Sequence, residues 1–133
     1  MIPITSELEN HVLPLYEIEK RLKPLGYVIG GNWDYEQGTI DYKMADDDGY
    51  QFIRIPITAE QGLLDSPGVI VRLGTPYILT HKYEAGIDTF ADNGVLQGSF
   101  NQFQEPVEPD AEVPDKYVEK GKKLIEHVEH LLL

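Results

Sequence analysis

The stretch Thr39–Thr58, TIDYKMADDDGYQFIRIPIT, decides the fold. Each of its halves alternates with a period of two: Ile40, Tyr42 and Met44 share one side of the first, and Gln51, Ile53, Ile55 and Ile57 share one side of the second. That period belongs to a pleated strand, whose successive side chains leave on opposite faces. Ala45–Gly49 between them reads as a turn, with Gly49 able to supply a positive φ. Pro56 has no N–H to give to a ladder, which predicts that the second strand ends at a sheet edge.

Working outward, Tyr27–Trp33 reads as a strand that meets Thr39–Met44 across the loop Asp34–Gly38. Simple hairpins would then set Gly30 near Tyr42, and Tyr42 near Phe52, an aromatic ring covering a strand glycine. Beyond a turn at Gln61–Gly68, Val69–Leu73 and Tyr77–Lys82 predict a second hairpin around Gly74-Thr75-Pro76. Val69, Val71, Leu73, Tyr77, Leu79 and His81 would line one of its faces. Residues 83–104 predict a loop with one short element around Phe100–Phe103. Gln104–Pro114, with three prolines and four acids, reads as an extended crossing.

Helical spacing brackets these strands. Leu15, Ile18, Leu22 and Leu25 form an apolar stripe over Pro14–Leu25, stopped by Pro24 and Gly26. Tyr117, Gly121, Leu124, Val128 and Leu131, joined by Val118, Ile125 and Leu132, form a broader stripe at the C-terminal end. The order helix, five strands, helix predicts an α+β fold over residues 1–133: an antiparallel sheet of about five strands with an N-terminal and a C-terminal helix packed on it. Both sheet faces would carry apolar residues, so the face without helices hints at a homodimer.

The balance of 23 acidic against 11 basic residues, a formal charge of −12, repels polyanions and marks nucleic-acid binding down. Zero cysteine removes disulfides, thiolate metal sites and cysteine nucleophiles. MIPITSELENHV has neither a basic nor an apolar signal region, and no run approaches a bilayer span of about 20 apolar residues. A cytoplasmic protein with no membrane partner is the expectation.

The chemistry-bearing motifs are weak. Setting Gly49 at the sixth position of an EF-hand puts Met44 first and Ile55 twelfth, where carboxylates are needed, so Asp46-Asp47-Asp48-Gly49 is read as a hairpin turn. Glu126-His127-Val128-Glu129-His130 has its histidines at i,i+3, not the i,i+4 of HExxH. No metal or cofactor is expected, and no GxSxG, S-x-x-K or Walker loop occurs. A small-molecule enzyme would rest on His81 with Asp34, Asp41 or Glu84 as the orienting acid. The better binding feature is Asn32-Trp33-Asp34-Tyr35, which contains the only tryptophan, with Gln102 in Asn101-Gln102-Phe103-Gln104 as a further contributor. Against it stands the reading that Trp33 and Phe103 anchor the core and the amides cap loop backbone. A non-catalytic binding or regulatory domain is the leading expectation.

The stretches LKPLGYVIGGNWDY (Leu22–Tyr35), DGYQFIRIPITA (Asp48–Ala59), RLGTPYILTHKYEAG (Arg72–Gly86) and NQFQEPVEPDA (Asn101–Ala111) resemble the YugN-like family of small proteins from Gram-positive bacilli. The resemblance runs in order over nearly the whole chain and implies one cytoplasmic domain. It supplies no activity, cofactor or catalytic residue.

Overall fold

The structure is a computed structural model, and it describes residues 1–47, 49–82 and 108–133. Among these residues, eight strands and two helices follow in the order β1 (Ile2–Pro3), β2 (Val12–Pro14), α1 (Leu15–Leu22), β3 (Val28–Ile29), β4 (Gln37–Ala45), β5 (Tyr50–Gln61), β6 (Ile70–Leu73), β7 (Tyr77–Lys82), β8 (Glu108–Ala111) and α2 (Asp115–Leu132). The α+β class with an antiparallel sheet and two helices is as expected, but the sheet has eight strands among the described residues, not five. The three additions are β1, β2 and β8. Each has four residues or fewer and contains a proline, too short to display a two-residue period. Glu108–Ala111 lies inside the segment expected only to cross, where it pairs with β7 through Thr80 and Ala111.

The twelve-residue β5 organises the sheet. One of its edges carries β4, from Gln37 opposite Thr58 to Ala45 opposite Gln51. The other edge is shared: β7 pairs along Tyr50–Arg54, and β6 along Ile57–Gln61. Both β6 and β7 run antiparallel to β5, so they run the same way and lie end to end. The expected hairpin around Gly74-Thr75-Pro76 does not form. Gly74 has no positive φ to turn the chain, unlike Gly49, Gly62 and Gly68, so the backbone steps forward instead. Its missing side chain serves another end, since a β-carbon there would lie 3.1 Å from Pro56 Cβ.

That step also explains Pro56, which sits in the central strand and not at an edge. Its carbonyl accepts from the Gly74 N–H at 2.8 Å. In an antiparallel strand a residue's N and C=O point to the same edge, so the nitrogen without a hydrogen faces the break between β6 and β7. Three residues, Gly74 to Pro76, stand there opposite two, Ile55 and Pro56, as the flanking pairs Ile57–Leu73 and Arg54–Tyr77 require.

One extra residue inverts the faces. Val69, Val71 and Leu73 are buried with Ile53, Ile55 and Ile57, whereas on β7 it is Ile78 and Thr80 that enter the core. Tyr77, Leu79 and His81 therefore lie on the opposite face from Val71 and Leu73, correcting the single face expected of them. Tyr42 is likewise not over Gly30. It pairs with Ile53, stacks on Tyr27 at 4.8 Å and lies against Gly26, while Gly30 lies beside Thr39 and Asp41.

Both helices cover the core face. From α1 come Leu15, Ile18 and Leu22, and from α2 come Tyr117, Gly121, Ile125 and Val128. The α1 helix is followed by a 3₁₀ turn, Lys23–Leu25, and closed by Gly26 at φ 104°, as Pro24 and Gly26 predict; Leu25 faces solvent. Arg21 Nη1 donates to the Leu131 carbonyl at 2.6 Å and joins the two helices. Glu129 of α2 holds the N-terminal segment, accepting from Ser6 Oγ at 2.6 Å and from the Glu7 N–H at 2.9 Å. In the β4–β5 turn, Asp47 accepts from Tyr117 Oη at 2.5 Å and pairs with Lys116 at 3.1 Å. The outer face is mixed: Asp41 pairs with Arg54 at 3.2 Å, and Lys43 lies 4.7 Å from the Tyr50 ring centre.

The α2 helix approaches β7 closely because Gly121 has no side chain. A β-carbon there would lie 2.8 Å from Ile78 Cγ1 and closer still to Cδ1. Overpacking a core costs about 1–3 kcal/mol, while Ala gains about 1 kcal/mol of helix propensity over Gly. Gly121→Ala should therefore lose about 1 kcal/mol net in urea denaturation. Pairing it with Ile78→Val, which removes Cδ1, should lower stability by less than the sum of the two single changes. Strict additivity would refute the close approach.

Candidate functional site

The loop between β3 and β4 is fixed by its own polar groups. Asp34 Oδ1 accepts from the backbone N–H groups of Glu36 and Gln37, both at 2.8 Å. The Asp34 N–H donates to the Gln37 carbonyl, and the Leu64 N–H donates to that of Tyr35. Asp34 is thus a backbone cap, a role the sequence reading gave to the neighbouring amides and not to this carboxylate. Trp33 is not a core anchor: it remains 43% exposed, in edge-to-face contact with Tyr35 at 5.9 Å. Asn32 and Tyr35 are exposed as well.

Gly38 brings this loop onto the sheet. It pairs with Ile57 on the core face, and a β-carbon on it would lie 3.1 Å from Trp33 Cβ and 3.2 Å from Leu64 Cδ1. Trp33 and Leu64 therefore close over the end of the sheet beside α1. A cleft of about 240 Å³ opens there, lined by Leu15, Glu19, Ile29, Trp33, Ile57, Leu64 and Asp65. It shares Leu15, Glu19, Leu64 and Asp65 with a neighbouring cleft of about 660 Å³, which runs between the start of α1 and the turn Ser66–Gly68. The trough has apolar walls, an aromatic lip and two carboxylates. Its volume is in the range of sites for small organic molecules.

Sequence reasoning found the Trp33 wall and missed the opposite one. Leu64 and Asp65 belong to a segment read only as a turn. The signal was the apolar pair Leu63-Leu64 within it, of which Leu63 is exposed. Leu15 belongs to the predicted apolar stripe of the first helix, and Glu19 lies on that helix one residue beyond Ile18.

His81 lies elsewhere. It is opposite Tyr50 on β5 and faces outward, its ring 5.2 Å from that of Phe52. Trp33 is over the core face, so the two candidates do not form one site. Asp41 is opposite Arg54, two strands across from β7 and four residues along, or roughly 15 Å from His81 between Cα atoms. Asp41 is committed to Arg54, its pair at 3.2 Å. Asp34 is engaged with its own loop. Asp110 on β8, which sequence reasoning did not pair with His81, is held by the N-terminal ammonium of Met1. Gln102 and Glu84 lie outside the described residues.

Fold and cleft together define a small α+β domain, two helices on one face of a mostly antiparallel sheet, with an open aromatic trough where α1 meets the sheet end. Residues 3–132 match the YugN-like family, and the chain belongs to that family. It is similar to "Uncharacterized protein YugN" of Bacillus subtilis (strain 168), 46% identical over 133 residues and covering 100% of this chain and 99% of that one. "Uncharacterized protein YlbA" of the same organism is 26% identical over 127 residues, covering 96% and 91%. The crystal structure of the uncharacterized conserved protein YugN from Geobacillus kaustophilus HTA426 has the same fold. Its TM-score is 0.75 at 22% identity, with 99% of this chain and 95% of that one covered.

Burial, and then the Arg54 guanidinium, hold the His81 imidazole below its ordinary pKa of 6.5, against the opposing pull of Asp41 and Asp110. The ring is neutral at pH 7. Below about 6.5 the unfolded chain binds a proton that the folded chain resists, so His81 costs stability as the pH falls. Wild type should therefore lose stability relative to His81→Phe between pH 7 and pH 5 in urea titrations. Parallel curves would contradict the placement of the ring.

Proposed function

We propose that this protein is a non-catalytic, cytoplasmic binding domain whose site is the trough between Trp33, α1 and the Leu64-Asp65 turn. The observation that carries the reading is a half-exposed sole tryptophan, fixed by a capped loop above an open apolar cleft. A large aromatic side chain held at the lip of a cavity offers contact area with little conformational entropy left to lose. The cleft is built from one chain's residues and calls for no second copy. Acidic composition and the lack of cysteine support the location. Catalysis by His81 draws no support from its position, since it faces Phe52 on the other side of the sheet.

A thermal-shift screen of small metabolites against wild type and Trp33→Ala tests this. A ligand of the native state at 100 times its dissociation constant stabilises it by about 2.7 kcal/mol, which is a rise in Tm of roughly 10 °C for a domain of this size. At least one compound should give such a shift in wild type and lose most of it in Trp33→Ala. Shifts of equal size in both proteins, or none in either, would refute the assignment.

A further inference from the structure

Resting on that reading of the trough, we propose that its ligand is a small amine, a cationic head on an apolar body. The argument begins with what lines the walls. Among the described residues, the lining of both adjoining clefts contains no lysine, arginine or histidine, and its two acidic groups are Glu19 and Asp65. Glu19 shares its charge with Lys23, the pair being 2.5 Å apart. Asp65 is exposed, and among the described residues no ion pair neutralises it. Lys20 stands 6.0 Å from the Tyr16 ring centre and outside the lining.

Two aromatic rings complete the recognition surface. Tyr16 and Trp33, both exposed, belong to the two ends of the trough. An ammonium over such a ring is attracted by its negative face, the more so with a carboxylate nearby. Leu15, Ile29, Ile57 and Leu64 leave the floor apolar, suited to a hydrocarbon body. The formal charge of −12 adds a long-range preference of the same sign, drawing cations in and repelling anions. An anionic ligand would meet Asp65 with no cationic side chain among the described lining residues to receive it.

Three probes with one hydrocarbon body separate the parts of this claim: 4-phenylbutylamine, 4-phenylbutan-1-ol and 4-phenylbutanoate, titrated into the full chain with Trp33 emission and calorimetry as readouts. The amine should bind about tenfold more tightly than the alcohol, the sum of an exposed ion pair and a cation–π contact, and the acid should bind weakest. Asp65→Asn, a change at an exposed position, should cut the amine's advantage over the alcohol to about threefold, the share left to the cation–π contact, and affect the alcohol far less than the amine. Trp33→Ala should weaken both, and the amine more than the alcohol. Equal binding of all three probes, or a preference for the acid, would overturn the amine assignment and leave the cleft as a binding site. Binding of none would overturn both readings.

Discussion

The structure depends on a mismatch of three residues against two. Gly74, Thr75 and Pro76 stand opposite Ile55 and Pro56, and this step lets β6 and β7 share one edge of β5 while facing opposite ways. Pro56 is tolerated in the middle of the sheet because its missing donor meets the step. The phase change sends Ile78 and Thr80 into the core, where Ile78 receives α2 at Gly121 and Thr80 donates to the buried Gln51 at 2.5 Å. It also sends His81 outward. Without the extra residue, the period that turns Leu73 to the helix-covered face would turn Tyr77, Leu79 and His81 to it as well.

The long elements were legible because their side chains repeat with the period of their backbone. Ile53, Ile55 and Ile57 declared β5, and burial of such a side chain is worth about 1.5–3 kcal/mol, enough to fix the register. Tyr117, Gly121, Ile125 and Val128 declared α2 in the same way. The step itself was hidden, since Gly-Thr-Pro has the composition of a turn, and only φ separates a turn from a bulge. Strands as short as Ile2–Pro3 carry no period at all; their pairing is decided by the sheet they join.

The site was half legible for a related reason. A lone tryptophan beside a polar loop is visible in a sequence; that the Asp34 carboxylate caps this loop is not, since the neighbouring amides could cap it too. The opposing wall is formed by residues that ordinary roles explain equally well: Leu15 and Glu19 on an amphipathic helix, Leu64 and Asp65 in a turn. What joins them is Gly38, whose bare α-carbon admits Trp33 and Leu64 to the same place. Proximity of this kind arises from the sheet register, which brings Gly38 opposite Ile57, and is not written in any local pattern.

The central claim is that Trp33 stands open to solvent in surroundings of negative charge. Collisional quenching of its emission, the signal of the only tryptophan in the chain, reads both properties at once. Caesium should quench it more efficiently than iodide at matched ionic strength, with acrylamide also effective, because a local negative potential concentrates cations. Emission resistant to all three quenchers, or quenched best by iodide, would contradict the account.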